Sequence, residues 1–148
     1  MLIGIPALLG PDFLATLRTM GHGDELAIVD GNYPAEEHGK RVVRADGHGL
    51  IDVIDAVLAV LPVDDLVPEA LFCASAKGDP EVLDAVHHEI IAVCGRRAPG
   101  VKVFPLSGQA FYDRVKSAYA VVATSEPRLY GNFIVRKGVI YPGGGAKS

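Results

Sequence analysis

Apolar residues change their spacing several times along the first sixty positions. Phe13, Leu14, Leu17 and Met20 recur at helical intervals behind Pro11-Asp12. Proline suits a first helical turn, so the pattern predicts a short helix that Gly21 stops. The unbroken run Leu26-Ala27-Ile28-Val29 is too short for a helix and predicts a buried strand. It ends in Asp30-Gly31-Asn32-Tyr33-Pro34, a cluster of turn-forming residues. Val42-Val43 predicts a further strand, and Arg44 to Gly49 a polar turn. From Leu50 to Leu61 the apolar positions 50, 51, 54, 57, 58 and 61 form the wide stripe of a core-facing helix, ended by Pro62.

The second half alternates in the same way. Ala70 to Ser75 predicts a strand, followed by a helix capped by Asp79 with Pro80 in its first turn and Val82, Leu83, Val86, Ile90 and Val93 along one face. Val101 to Phe104 predicts a strand and Ser107 the cap of a helix to about Ser117. Tyr119 to Thr124, rich in β-branched residues, predicts a central strand, and Phe133 to Val135 continues the sheet after a polar turn. Strands alternating with helices predict a three-layer α/β/α sandwich with a mixed or mostly parallel sheet, whose ligand loops sit at strand ends. Residues 1–148 are expected to form one domain, with a flexible glycine-bearing tail at 142–148.

Composition supports a packed core: 49% of residues are hydrophobic and 22% charged. The net charge is −4, and the basic residues are scattered rather than gathered in a stripe, which argues against a nucleic-acid partner. No apolar stretch reaches the roughly 20 residues of a membrane span. The opening MLIGIPALLG lacks the basic flank of a secretory leader, so a cytoplasmic location is expected. Cys73 and Cys94 match no zinc, redox or nucleophile spacing and are expected as buried, reduced thiols.

Candidate chemistry gathers in the polar loops. His22, between two glycines and ahead of Asp24, can take either protonation state near neutral pH and is the candidate acid or base; the alternative is an imidazole that only braces its loop. Asp30 at a strand end can hold two sugar hydroxyls, orient an imidazole or serve as a turn acceptor. Tyr130-Gly131-Asn132 joins a phenol, a permissive glycine and an amide, a set suited to a polyol or to a tight turn. Arg44 and Asp46 read as a structural pair, and His87 and His88, adjacent on a helix, as rim or core-edge residues. No metal motif, phosphate loop or nucleophile elbow occurs, so neither a metal nor another cofactor is expected, and proton transfer is the remaining chemistry.

Pro11-Asp12-Phe13-Leu14, Met20 to Glu25, Asp30, Pro34-Ala35, Arg44 to Gly47, Ala110-Phe111-Tyr112, Tyr130-Gly131-Asn132 and Lys137-Gly138-Val139 occur in one consistent order. In these segments the chain resembles the RbsD/FucU sugar mutarotases, most closely the fucose type, with residues 63–105 matching loosely. The resemblance implies an isomerase that opens and recloses a free aldose ring, L-fucose or a related monosaccharide, without a cofactor. It assigns proton transfer to His22 with Tyr130, and sugar binding to Asp30, Tyr130, Gly131 and Asn132. It further implies a homodecamer of stacked rings with sites completed by a neighbouring chain. Gly108 departs from the pattern, standing where fucose-type members carry an arginine and ribose-type members a histidine; Gln109 is the candidate substitute contact. Asn32, Glu36 and Glu37 likewise replace a histidine-bearing loop. The competing function is a non-catalytic monosaccharide-binding or transport-accessory protein.

Overall fold

The computed structural model describes residues 1–144. Its elements run α1 (Pro11–Thr19), β1 (Glu25–Val29), α2 (Ala35–His38), β2 (Val42–Ala45), α3 (Leu50–Leu58), β3 (Leu71–Ala74), α4 (Ala85–Arg97), β4 (Val103–Leu106), α5 (Gly108–Ser117), β5 (Ala120–Thr124) and β6 (Phe133–Arg136). Of the tail expected to fray, residues 145–148 lie outside the described residues.

The strands form one six-stranded sheet in the order β2-β5-β1-β6-β3-β4. β2, β5 and β1 are parallel, as are β3 and β4, and β6 runs antiparallel between β1 and β3. Side chains alternate across a strand, so each strand feeds two cores. Leu26 and Ile28 of β1 face Phe13 and Leu17 of α1, Val53 and Val57 of α3 and Ile90 of α4. Ala27 and Val29 face the other way, toward Ala35 of α2 and Phe111 and Val115 of α5. Helices on both faces make the expected three layers. Parallel strands thus deliver the loops after β1, β3, β4 and β5 to one sheet edge, where β6 also begins.

Several boundaries differ from the expectation: α3 ends at Leu58 rather than Leu61, and α4, β4 and β2 are shifted as well. α4 starts at Ala85 instead of after Asp79, because Asp79 spends its side chain on a tight turn, accepting from the Glu81 amide at 2.9 Å. The helix is entered at Asp84, whose N–H donates to His87 Nδ1 at 3.0 Å. Val82 and Leu83 therefore lie exposed ahead of the helix, and His87, expected at a rim or core edge, is fully buried. β4 runs through Pro105, which an edge strand tolerates because it needs no ladder hydrogen bond on its outer side. β2 extends through Arg44 and Ala45, and Arg44 makes the expected pair with Asp46 through Nε at 2.9 Å and Nη2 at 3.0 Å. Cys73 and Cys94 are buried and free, as expected.

Candidate functional site

Polar side chains collect at both ends of β1, and the structure keeps them apart. At the amino end, Gly21 to Asp24 form a tight corner. Asp24 Oδ2 accepts from the Gly21 amide at 2.8 Å, and Gly23 sits at φ +86°, where a side chain would be strained and would also meet Arg136 Nη2 at 3.0 Å. Lys137, just past β6, bonds the last carbonyls of α1 through Nζ, to Met20 at 2.6 Å and Leu17 at 3.0 Å. These bonds aim His22 at Asp64, a residue of the loop between α3 and β3.

His22 Nε2 lies 3.2 Å from both carboxylate oxygens of Asp64. The His22 side chain is 41% exposed and that of Asp64 fully buried. Asp64 is in turn held by Arg136, whose Nε donates to Oδ2 at 2.8 Å, and by the Leu66 amide, which donates to Oδ1 at 3.0 Å. Burial alone would raise the acid's pKa, but the hydrogen bonds from Arg136, Leu66 and His22 outweigh it and hold the group below the ordinary carboxylate range. An ionised Asp64 selects the His22 tautomer with the proton on Nε2, leaving the Nδ1 lone pair free to act as a base on a partly exposed ring. Sequence reading placed His22 correctly on an accessible corner and overlooked Asp64. The signal available was an acidic pair, Asp64-Asp65, two residues past the Pro62 that was expected to end a helix.

At the carboxyl end, Asp30 and Asn132 form a reciprocal buried pair. The Asp30 amide donates to Asn132 Oδ1 and Asn132 Nδ2 donates to Asp30 Oδ2, both at 2.9 Å. The Asn32 amide donates to Asp30 Oδ1 at 2.8 Å, so the carboxylate is both a turn acceptor and an anchor. Tyr130 occupies this edge in a left-handed conformation, φ +61°, uncommon for a bulky residue. Glu126 holds the loop behind it: nearly buried, it accepts from the Leu50 amide at 3.2 Å and from Arg128 Nε at 2.8 Å. A Cβ on Gly131 would lie 2.9 Å from Glu126 Cγ and 3.1 Å from the Arg128 carbonyl, so that position requires glycine. Gln109, at the start of α5, is exposed and donates to Asp113 Oδ1 at 2.8 Å.

Beside Asp30 stand Tyr33, His38 and Tyr112, which sequence reading did not select as site residues. The Tyr33 hydroxyl is 2.8 Å from His38 Nδ1. Asp30, Asn132 and Tyr130 thus share one edge, while His22 lies beyond the full length of β1, a separation of roughly 17 Å at ~3.3 Å per residue. Within one chain the imidazole and the carboxylate–amide pair do not meet. Among the described residues no group of three or more His, Cys, Asp or Glu side chains is placed to hold a metal ion.

Comparison with known proteins bears on both ends. A model of the RbsD / FucU transport protein family matches residues 3–140. Fucose mutarotase of Homo sapiens is 42% identical over 144 residues, covering 93% of each chain, and fucose mutarotase of Bos taurus is 38% identical over 148 residues, covering 96% of each. The crystal structure of the fucose mutarotase from Streptococcus pneumoniae in complex with L-fucose superimposes with a TM-score of 0.88 at 34% identity, over 95% of this chain and 100% of that one.

Proposed function

This chain belongs to the RbsD / FucU transport protein family, and from that premise we propose that it is a sugar mutarotase, interconverting the α and β anomers of L-fucose or a related free aldose. The observation that carries the reading is the half-exposed His22 imidazole held at Nε2 by the buried Asp64 carboxylate. Anomer exchange needs one group that can take a proton and return it near neutral pH. A base removes the proton of the anomeric hydroxyl while an acid protonates the ring oxygen. The C1–O5 bond breaks as the C1 carbonyl forms, and rotation about C1–C2 followed by the reverse steps yields the other anomer. His22 serves as acid and base at this centre, with Tyr130 as partner in the relay. Asp30, Gln109, Gly131 and Asn132 hold the remaining hydroxyls. Electrons and atoms balance without a cofactor.

Two ends of one sheet can act together only if copies of the chain meet, His22 and Asp64 of one facing Asp30, Tyr130 and Asn132 of the next. Homo-oligomerisation, as a decamer of stacked rings, satisfies that requirement. Support comes from apolar side chains left on the surface, Met1, Leu2, Ile3 and Ile140, and from an apolar hollow of about 430 Å³ between the amino-terminal segment and α1. No helix among the described residues is long and apolar enough to cross a membrane, in keeping with work on free sugars in the cytoplasm. The test is a panel of L-fucose, D-ribose, D-galactose and L-rhamnose, followed by magnetisation transfer between the α and β anomeric proton signals. Exchange faster than buffer for at least one sugar is expected, and buffer rates for every sugar would overturn the proposal.

A further inference from the structure

α2 is a single helical turn, Ala35–His38, and its last residue folds back on the turn that carries Asp30. Tyr33 and His38 meet edge to face with ring centres 5.3 Å apart, and their polar atoms close to 2.8 Å. Tyr112 of α5 stands edge-on to both, 5.5 Å from Tyr33 and 5.3 Å from His38. Burial, the Tyr112 phenol and the Asp30 carboxylate together push the Tyr33 hydroxyl well above the ordinary phenol range, so it stays protonated. A protonated phenol can donate to His38 Nδ1, and in the tautomer that accepts this bond the His38 proton stands on Nε2 while lone pairs remain on the Tyr33 oxygen. Gly108, at the start of α5, is exposed and, as a glycine, carries no side chain that could supply a cationic contact.

Resting on the mutarotase reading, we propose that the Tyr33–His38 pair is the specificity-determining contact of the sugar site. The Tyr33 oxygen accepts from one ring hydroxyl and His38 Nε2–H donates to a neighbouring one, in a chain with a glycine at 108. The ligand class is a pyranose with a vicinal diol presented to this wall. An aromatic surface of three rings beside Asp30 also suits the C–H face of such a sugar.

The experiment compares kcat/KM from anomer exchange for wild type, Tyr33→Phe, His38→Leu and His38→Gln. Substrates are the aldose that wild type exchanges fastest and its monodeoxy analogues. One hydrogen bond corresponds to a loss of about 3- to 10-fold in kcat/KM. Tyr33→Phe is expected to lose that factor, mostly in KM, on the parent sugar and to match wild type on the one analogue lacking the contacted hydroxyl. His38→Leu should lose at least as much, while His38→Gln, which keeps an acceptor and a donor, recovers most of it; this pair decides the matter if Tyr33→Phe melts early. Equal kcat/KM for wild type and variants, or the same loss on every analogue, would overturn the assignment. Absence of exchange by wild type on every sugar would strike the mutarotase reading itself.

Discussion

Replacing Asp64 by asparagine probes the polar corner at the amino end of β1 most sharply. The carboxylate is fully buried and accepts from Arg136 Nε at 2.8 Å and the Leu66 amide at 3.0 Å, besides facing His22. Hydrogen bonds to a charged group contribute about 1.5–3 kcal/mol each. Asparagine keeps one acceptor oxygen, and the Arg136 side chain, 30% exposed, can recover some hydration, so the net cost is about 2 kcal/mol. For a chain of this size that corresponds to a fall in Tm of about 4–8 °C. The sign of the pH dependence follows from the depressed pKa. Wild type holds this contribution above the unfolded carboxylate value of about 3.9 and loses it as pH falls through the lower, folded value. Asp64→Asn should therefore show a shallower loss of Tm on acidification below about pH 4. Its amide can also donate to His22 Nε2, selecting the tautomer that puts the proton on Nδ1 and blocking the base. General acid–base assistance contributes about 10²- to 10⁴-fold, and most of it is at stake. Thermal melts across pH together with anomer-exchange rates check both halves. An unchanged exchange rate in a folded Asp64→Asn protein would refute the orienting role.

Other expectations concern the carboxyl edge and the core. Gly131→Ala sets a methyl against Glu126 Cγ and the Arg128 carbonyl and should cost about 1–3 kcal/mol in urea unfolding; an unchanged midpoint would contradict the packing. Tyr130→Gly relieves a left-handed tyrosine at φ +61°, so stability should stay within about 1 kcal/mol of wild type while exchange slows; full-rate exchange would remove Tyr130 from the relay. Burial pushes the Cys73 thiol up to about 11 and the Cys94 thiol up to about 12, so both should resist a thiol reagent at pH 8 until the chain unfolds. Mixed refolding of His22→Ala with Asn132→Ala protein should restore part of the exchange that each variant lacks, since a shared site can draw its intact halves from different copies; no recovery would place the whole site within one copy.

Elements with a strong local signal were legible in the sequence. The β1 and β5 runs and the α3 stripe are set by side-chain burial that the periodicity reports directly. The start of α4 was not, because Asp79-Pro80 and Asp84 offer competing entries and tertiary burial of Val86, His87 and Ile90 decides between them. At the site, His22, Asp30 and Asn132 stood out as polar residues flanking apolar strands. Asp64, Tyr33, His38 and Tyr112 did not, since each gains its meaning from a partner on another element. Counting alone puts His22 and Asp30 at opposite ends of one short strand, but spacing could not tell whether they converge, and the structure keeps them a strand length apart.

One comparison addresses the claim that an imidazole on a carboxylate carries protons to and from a hemiacetal. Exchange between α and β anomers of the best sugar is measured for wild type and His22→Ala, alongside calorimetric binding of the same sugar to each. The account predicts fast exchange in wild type and near-buffer exchange in His22→Ala, with binding retained. Binding by both proteins with no acceleration by either would instead mark a sugar carrier without catalysis, and equal acceleration by both would take the chemistry away from His22.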